Sequence, residues 1–369
     1  MRQHICYIIS SLCNEGPVNV LFNIIKYMDW EHFKVSIITL IPEKKTSRIN
    51  DFRQFPLDIY QLATDKPLGP WGMYKALRKR VRNINPDILH AHCSRSLYLM
   101  SFLPRKYKRT YTIHNYPDHL PEILYGKYKG KIIVFLNHYF THKCDLPIGC
   151  AENIGLMYKE KKGWEITSIP NGSSLPIWQY NETEKKSLRK EFGLKDGIKY
   201  FIFIGRFSPE KNPDKLIKAF SLLKDLKIAV IMLGDGPMWE DLNKSKGKNV
   251  LMPGFTTRVY DYLKASDYYI STSDMEGLAN TLLESMSVGL PMVLSDILSH
   301  QVVINSVPNN IKLGVTINQK DTDSIATGIK AILNFDTAAT ADNIRQLFFQ
   351  KYRAEIMSDK YQNIYTQFL

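Results

Sequence analysis

The 369-residue chain has only five cysteines, Cys6, Cys13, Cys93, Cys144 and Cys150, odd in number and scattered. That spacing excludes a disulfide framework and offers no metal-ligand pattern, so free thiols in a reducing cytosol are expected. Long apolar runs are equally scarce. The stretch ICYIISSLC is too short to cross a bilayer, runs into Asn14-Glu15 and carries no small-residue cleavage pattern, so neither a membrane span nor a signal peptide is expected. No Gly/Ser linker, low-complexity tract or short-period repeat appears, which excludes a disordered or solenoid organisation. Zinc-finger spacing, a basic zipper and an RNA-binding signature are also missing, and nucleic acid is not an expected partner. The first half is poor in negative charge. Residues 1–180 hold 14 Asp/Glu against 25 Lys/Arg, a formal +11, whereas the remainder holds 22 against 24.

The length is that of two domains rather than one, and a hydrophobic content of 44% with 12% aromatics fits well-packed cores. The charge asymmetry points to an anionic partner for the first half, and an anionic membrane surface is the expected one. A helix over Trp71–Asn83 carries Lys75, Arg78, Lys79, Arg80 and Arg82 opposite Trp71, Tyr74, Leu77 and Val81. Further basic runs follow at Arg105–Arg109 and at 127–131. Each run alone reads equally as a solvated helix face; their repetition favours the membrane.

HICYIIS reads as a buried strand, SLCNEGP as a loop and Val18–Met28 as a helix, the opening of a nucleotide-type α/β domain. Gly16 in that loop either lets backbone approach a ligand or only shapes the turn. FKVSIITL and LDIYQL are further strands. DILHAHC and RTYTIHN end in His92 and His114, and ligands of open parallel sheets bind beyond such ends. His90 is read as facing away from His92. CDLPIGCA is a short strand, ENIGLMYKEKK a helix, and Pro170-Asn171-Gly172 a turn and domain boundary. A second strand–turn–helix set follows in KYFIFIGRFSPEKNPDKLIKAF, where Arg206 and Lys211 between strand and helix form a candidate diphosphate site. Gly234-Asp235-Gly236 ends another strand and either binds ligand or merely turns. Phe255 and Thr256 lie beyond the next. DYYISTS leads into SDMEGLANTLLESMSVGLP, read as a helix whose first turn is Gly277-Leu278-Ala279, with Glu276 at its mouth and Glu284 about two turns in. A helix mouth of this kind suits a phosphate, and the two carboxylates suit sugar and ribose hydroxyls. Asp321-Thr322-Asp323 has the look of a metal motif, but its place before SIATGIKAIL makes helix capping the expected role. Asn343–Leu369 reads as helical.

In order, IPNG, GRFSPEKN, GDGP, PGF and SDMEGLANTLLESMSVGLP make the chain similar to the retaining GT-B glycosyltransferases of the Glu-x7-Glu type, glycosyltransferase family four. The likeness is strongest over Ile166–Pro291; the first half matches in outline, through DILHAHC, TIHN and the loop at Gly16. The resemblance implies two Rossmann-like α/β domains facing a cleft, 1–172 binding acceptor and 173–352 binding nucleotide-sugar, with a C-terminal helix (353–369) returning to the first. By matching positions it assigns Arg206 and Lys211 to the diphosphate, Glu276 to the donor sugar, Gly277, Leu278 and Ala279 to phosphate and sugar, Glu284 to ribose, and Phe255 and Thr256 to the base. His114 would lie beside the transferred sugar, and no metal or other cofactor is implied. The expected activity is transfer of a sugar, from UDP-sugar first and GDP-mannose second, onto a lipid-linked glycan in bacterial O-antigen or capsule assembly. The expected location is the cytoplasm, peripheral to the inner face of the cell membrane. Two departures stand out: Glu15-Gly16-Pro17 replaces the usual Gly-Gly, and Gln301-Val302 stands where relatives often carry Glu. Two other readings share the architecture, a sugar-nucleotide epimerase and an inactive nucleotide-sugar-binding subunit.

Overall fold

β-Branched and aromatic runs of two to seven residues, separated by helical stretches, form two all-parallel sheets, the arrangement that such alternation dictates. The computed structural model describes residues 2–117, 122, 126–308 and 310–368. It divides into two compact units, Met1–Ser174 with Ala354–Leu369, and Leu175–Arg353.

In the first unit the strands are β1 (Gln3–Ile9), β2 (Phe33–Thr39), β3 (Asp58–Gln61), β4 (Ile88–Ala91), β5 (Lys108–Ile113), β6 (Leu146–Gly149) and β7 (Thr167–Ser168). Their order is β3-β2-β1-β4-β5-β6-β7. Register is fixed by apolar pairs such as Ile5 opposite Val35 and Ile88. The helix after β1 starts at Gly16, earlier than Val18, because Pro17 supplies a pre-set φ at the first turn. It buries Val18, Val20, Leu21, Ile24 and Ile25. The basic helix spans Pro70–Ile84, likewise begun by proline and closed by Asn85 in the left-handed conformation.

The expected helical stretch at the C-terminus is two helices, Thr337–Lys351 and Ala354–Phe368, and only the second belongs to the first unit. It is tied to the Gly16–Lys26 helix and the turn after it. Ser358 Oγ donates to Ile24 O at 2.7 Å, Gln362 Nε2 to Tyr27 O at 3.0 Å, and Gln362 Oε1 accepts from Asp29 N at 2.7 Å. Its Tyr365 reaches the sheet, hydroxyl to hydroxyl with Tyr7 at 3.0 Å and onto His90 Nδ1 at 2.7 Å.

The expectation that His90 faces away from His92 is wrong. Residues two apart on a strand share a face, and the two rings lie 4.4 Å apart.

The second unit holds β8 (Lys199–Ile204), β9 (Ile228–Leu233), β10 (Val250–Gly254), β11 (Tyr268–Ser271), β12 (Met292–Ser295) and β13 (Gly314–Ile317), in the order β10-β9-β8-β11-β12-β13. Its core gathers Phe201, Phe203, Phe207, Phe220, Val230, Met232, Ile270 and Ile329. Asp267, at the start of β11, pairs with Lys185 at 2.9 Å and Arg189 at 2.6 Å, each side chain about one-tenth exposed. Asp321 caps the helix Thr322–Ile332 by accepting from Asp323 N.

Candidate functional site

Strand order reverses between β8 and β11, the place where an open α/β sheet leaves a crevice beyond its carboxyl ends. The two loops that leave these strands are bonded to each other. After β8 the chain runs through Gly205-Arg206-Phe207-Ser208 into a single 3₁₀ turn, Pro209–Lys211, and then Asn212, whose φ of 50° turns it into the helix Pro213–Leu222. Asn212 Nδ2 donates to Thr272 O at 3.0 Å, Thr272 Oγ1 donates to Lys211 O at 2.7 Å, and Asp274 N donates to Glu210 O at 2.8 Å. This lacing brings two sequence-distant candidates together. Lys211 Nζ meets Glu276 Oε1 in a salt bridge, the side chains 22% and 13% exposed, and Ser273 Oγ donates to the same oxygen at 2.9 Å.

Burial by itself would raise the Glu276 carboxyl; the Lys211 charge and hydrogen bond overcome it, with the Ser273 hydrogen bond helping, and hold the group below its usual value of 4.5. At neutral pH the site therefore presents an ionised Glu276 carboxylate held against Lys211. His300 is almost fully buried in the helix Leu298–Ile304. Its Nδ1 donates to Ser295 O at 3.1 Å, so in the neutral ring Nε2 is an acceptor, and it has no hydrogen-bond partner among the described residues. Burial lowers its pKa, against the opposing pull of Glu276, and keeps the ring neutral.

Gly234 and Gly236 serve this loop by close packing. A Cβ at Gly234, where φ is 138°, would lie 1.9 Å from Gly205 O, and one at Gly236 would lie 2.5 Å from Phe207 O. Phe207 N donates to Asp235 O at 2.9 Å, and the buried Phe207 ring stacks on Trp239. Of the two roles open to GDGP, the backbone shows the turn.

The helix after β11 runs from Asn280 to Val288, with Ala279 at its N-cap. Gly277, Leu278 and Ala279 thus form the approach to the helix rather than its first turn, and the angular relation drawn between Glu276 and Glu284 on one helix does not apply. The reason is tertiary: Asp274 and Glu276 are bonded to Glu210 and Lys211 of the loop after β8, Asp274 Oδ1 also accepts from Gln319 Nε2 at 3.1 Å, and Ser273 Oγ donates to Glu276, so the chain stays irregular until Asn280. Glu284 is half-buried on the helix. Tyr269 feels both carboxylates: burial raises its phenol, and the charges of Glu276 and Glu284 push it further. Gly289 ends the helix at φ 81°, where a Cβ would lie 2.9 Å from Ala341 O.

Arg206 is exposed just past β8 and has no ion-pair partner among the described residues, unlike Lys211. Phe255 and Thr256 follow β10, Phe255 being 59% exposed and Thr256 Oγ1 accepting from Arg258 N at 3.0 Å. An uncovered ring at a strand end is a stacking surface.

His114 and Gly16 lie in the first unit. His114, directly after β5, places Nε2 3.3 Å from His92 Nδ1, and burial lowers its pKa to about 4. His92 is fully buried with Nε2 unpartnered among the described residues, and burial holds it well below the usual value. A Cβ at Gly16 would meet nothing within 4 Å and its φ is not positive, so the turn does not require glycine there. No group of three or more His, Cys, Asp or Glu among the described residues is arranged to hold a metal ion. Sequence reading missed Ser273 and His300. The first is signalled by its place three residues before Glu276, whereas nothing in ILSHQVV marks the histidine as buried.

Comparison with known proteins defines the class. Residues 15–175 match the family model Glycosyltransferase Family 4, and residues 184–346 match Glycosyl transferases group 1. Together the matched stretches span most of the chain, and it belongs to the family-four type of glycosyltransferase. Among individual relatives, the alpha-monoglucosyldiacylglycerol synthase of Streptococcus pneumoniae is 28% identical over 68% of this chain and 61% of its own length, under two thirds of that protein. A UDP-Gal:alpha-D-GlcNAc-diphosphoundecaprenol alpha-1,3-galactosyltransferase of Escherichia coli is 25% identical over 78% of this chain and 73% of its own. Anabaena Alr3699/HepE, solved with UDP and glucose, superposes with a TM-score of 0.80 at 16% identity, covering 98% of this chain and 99% of that one. Staphylococcus aureus TarM gives 0.76 at 14%, covering 98% and 99%. The fold is therefore GT-B, two Rossmann-like parallel-sheet domains.

Proposed function

We propose that the protein transfers a sugar, with retention and without a metal, from a nucleotide-sugar onto a lipid-linked saccharide during bacterial surface-polysaccharide assembly. The observation that carries this reading is the Lys211–Glu276 contact at the β8/β11 reversal. It sets a cation for a diphosphate beside a carboxylate for sugar hydroxyls, next to the start of the helix Asn280–Val288, whose dipole favours an anion. In this reading Arg206 and Lys211 hold the diphosphate, Glu276 the sugar, the amides of Gly277, Leu278 and Ala279 the phosphate and sugar, Glu284 the ribose, and Phe255 with Thr256 the base. The acceptor oxygen bonds to the anomeric carbon as the bond to the departing diphosphate oxygen breaks. The acceptor proton passes to that leaving oxygen, whose growing charge Arg206, Lys211 and the amides stabilise. His114, neutral because it is buried, supports the positive anomeric carbon or the acceptor.

UDP-sugar is the preferred donor, supported by the UDP-Gal in the name of the Escherichia coli relative and by the UDP bound to the Anabaena neighbour. The lipid-linked acceptor is supported by the diphosphoundecaprenol of that same name. Work at the inner membrane face is supported by the surplus of 25 basic over 14 acidic residues in positions 1–180. No described helix is long and apolar enough to cross a bilayer. Calorimetric titration with UDP, GDP and their sugar conjugates is the test. A UDP response with sugar release only when lipid-linked saccharide is added supports transfer. Sugar isomerised without acceptor establishes the epimerase instead, and no response to any nucleotide overturns the reading.

A further inference from the structure

The helix Lys127–His142 turns its most exposed apolar side chains to solvent, while Ile133, Val134, Leu136 and Phe140 are half-buried. Its buried residues are Gly130, Asn137, His138 and Thr141, small or polar. Its exposed residues include Tyr128 (85%), Ile132 (60%), Phe135 (65%) and Tyr139 (46%). At 100° per residue these four fall within an arc of about 60°. A helix normally turns such a stripe inward. The inversion has a structural cause on its inner side: a Cβ at Gly130 would lie 2.3 Å from Glu122 Cα, and Asn137 Oδ1 accepts from Tyr98 OH at 2.8 Å.

The stripe continues onto neighbouring elements. Phe135 contacts Tyr139 (centroids 6.1 Å), Tyr139 contacts Phe140 (5.2 Å), Phe140 contacts Phe102 (5.6 Å), Phe102 contacts Tyr74 (6.5 Å), and Tyr74 contacts Trp71 (5.7 Å). Phe102 and Trp71 are themselves 62% and 67% exposed. Cations rim this aromatic belt. Lys143 Nζ lies 5.2 Å from the Tyr139 ring and Lys75 Nζ 5.4 Å from the Trp71 ring, while Lys127, Lys129 and Lys131 are exposed on the helix itself. None of the three helices Pro70–Ile84, Ser94–Ser101 and Lys127–His142 contains an Asp or Glu.

We infer that this belt is a bilayer-insertion face, with Tyr128, Ile132, Phe135 and Tyr139 entering the headgroup–acyl boundary of an anionic leaflet and the flanking lysines reaching back to lipid phosphates. The inference deepens the lipid-linked-acceptor reading and rests on it. It adds that attachment is by apolar burial as well as charge. An anionic bilayer is the occupant that matches both an apolar stripe of amphipathic rings and a lysine rim on helices without acids; a protein partner would need a carboxylate-rimmed apolar surface.

The full chain is tested by sedimentation with vesicles of phosphatidylglycerol and phosphatidylcholine. Ile132→Ser with Phe135→Ser should lower the partition coefficient about ten- to a hundred-fold, the worth of two partly buried apolar side chains. Circular dichroism and the UDP titration should stay unchanged. A single Phe135→Trp change, which preserves the surface, should add fluorescence quenched by bromine-labelled acyl chains beyond the quenching of the wild type, whose Trp71 lies on the same belt. Unchanged partitioning of the double variant, or no added quenching in the bound Phe135→Trp protein, overturns the inference. So does a shift from dimer to monomer in the double variant with vesicle binding intact, which would make the belt a self-association face. Vesicle insertion without any nucleotide response leaves this face standing and removes the transferase reading; a nucleotide response without insertion does the reverse.

Discussion

Replacing Glu276 by glutamine keeps the shape of the site and removes one charge, and the Lys211 pair makes the consequences separable. Three effects are expected. Stability falls because Lys211, only 22% exposed, loses its counter-ion; breaking a buried pair costs about 3–5 kcal/mol, and partial solvent access brings the expectation to about 1–3 kcal/mol. Transfer falls about 10²–10³-fold if the carboxylate holds the sugar only as charge develops, the range found for removing one such stabilising group. UDP affinity moves the other way. An ammonium no longer neutralised by Glu276 attracts a diphosphate more strongly, and a gain of up to about tenfold corresponds to about 1.4 kcal/mol. Thermal denaturation, initial-rate assays and calorimetry with UDP read the three separately. Near-normal turnover refutes the sugar role, and a tenfold loss of UDP affinity refutes the view that the pair holds Lys211 in check. The pH dependence follows the same pair: since the folded Glu276 pKa is depressed, its stabilising contribution is present above about pH 4.5 and is lost as pH falls through the folded value.

Arg206→Ala should weaken UDP binding about tenfold or more, through loss of a forked charge-assisted contact, without lowering the melting temperature, because the side chain is exposed; unchanged affinity in calorimetry would sink the diphosphate assignment. Asp267→Asn should destabilise the second unit by about 3 kcal/mol, since Lys185 and Arg189 remain buried without their shared partner, and denaturant midpoints measure it. Asp267 is also held below its usual 3.8 by those two cations against its burial, so this contribution likewise disappears as pH falls through that lower value. With His114 lowered to about 4, the rate should show no inflection between pH 5.5 and 8 belonging to it; a wild-type midpoint near 6.5 that vanishes in His114→Asn contradicts this.

Much of the fold was legible because periodicity carries it. β8, β9 and β12 are short apolar runs, and the helices between them announce themselves by proline starts at Pro213 and by glycine at Gly289. The site was legible as residue types at strand ends, Arg206, Lys211 and Glu276 among them. What the sequence hid was tertiary. Gly277–Ala279 read as helix because their neighbours are good helix formers, yet Asp274 and Glu276 just before them are held by Gln319 and Lys211, 45 and 65 positions away. The His90 error came from misapplying a period of two. The inverted helix at Lys127–His142 was seen only as the basic run KYKGK, because its apolar residues look like core until burial shows which face they occupy.

The two units spend their charges differently, and this separates donor chemistry from surface attraction. In the second unit these cations are matched by carboxylates: Lys185 and Arg189 by Asp267 at the amino end of β11, Lys264 by Glu184, Arg258 by Glu191 and, at the carboxyl-end crevice between β8 and β11, Lys211 by Glu276. A diphosphate entering there meets a preset field in which Arg206 alone of the two proposed phosphate ligands is unpaired among the described residues. In the first unit Lys75, Arg78, Lys79 and Arg82 stand exposed, without ion-pair partners among the described residues, on a helix that contains no acid. Unmatched exposed charge of one sign does not stabilise a fold, because like charges repel and nearby salt screens them within about 10 Å. Its effect is on what approaches. Neutralising Arg78, Lys79 and Arg80 together should therefore weaken anionic-vesicle binding and flatten its salt dependence while leaving UDP affinity untouched. A change in UDP affinity without a change in vesicle binding would reverse that assignment.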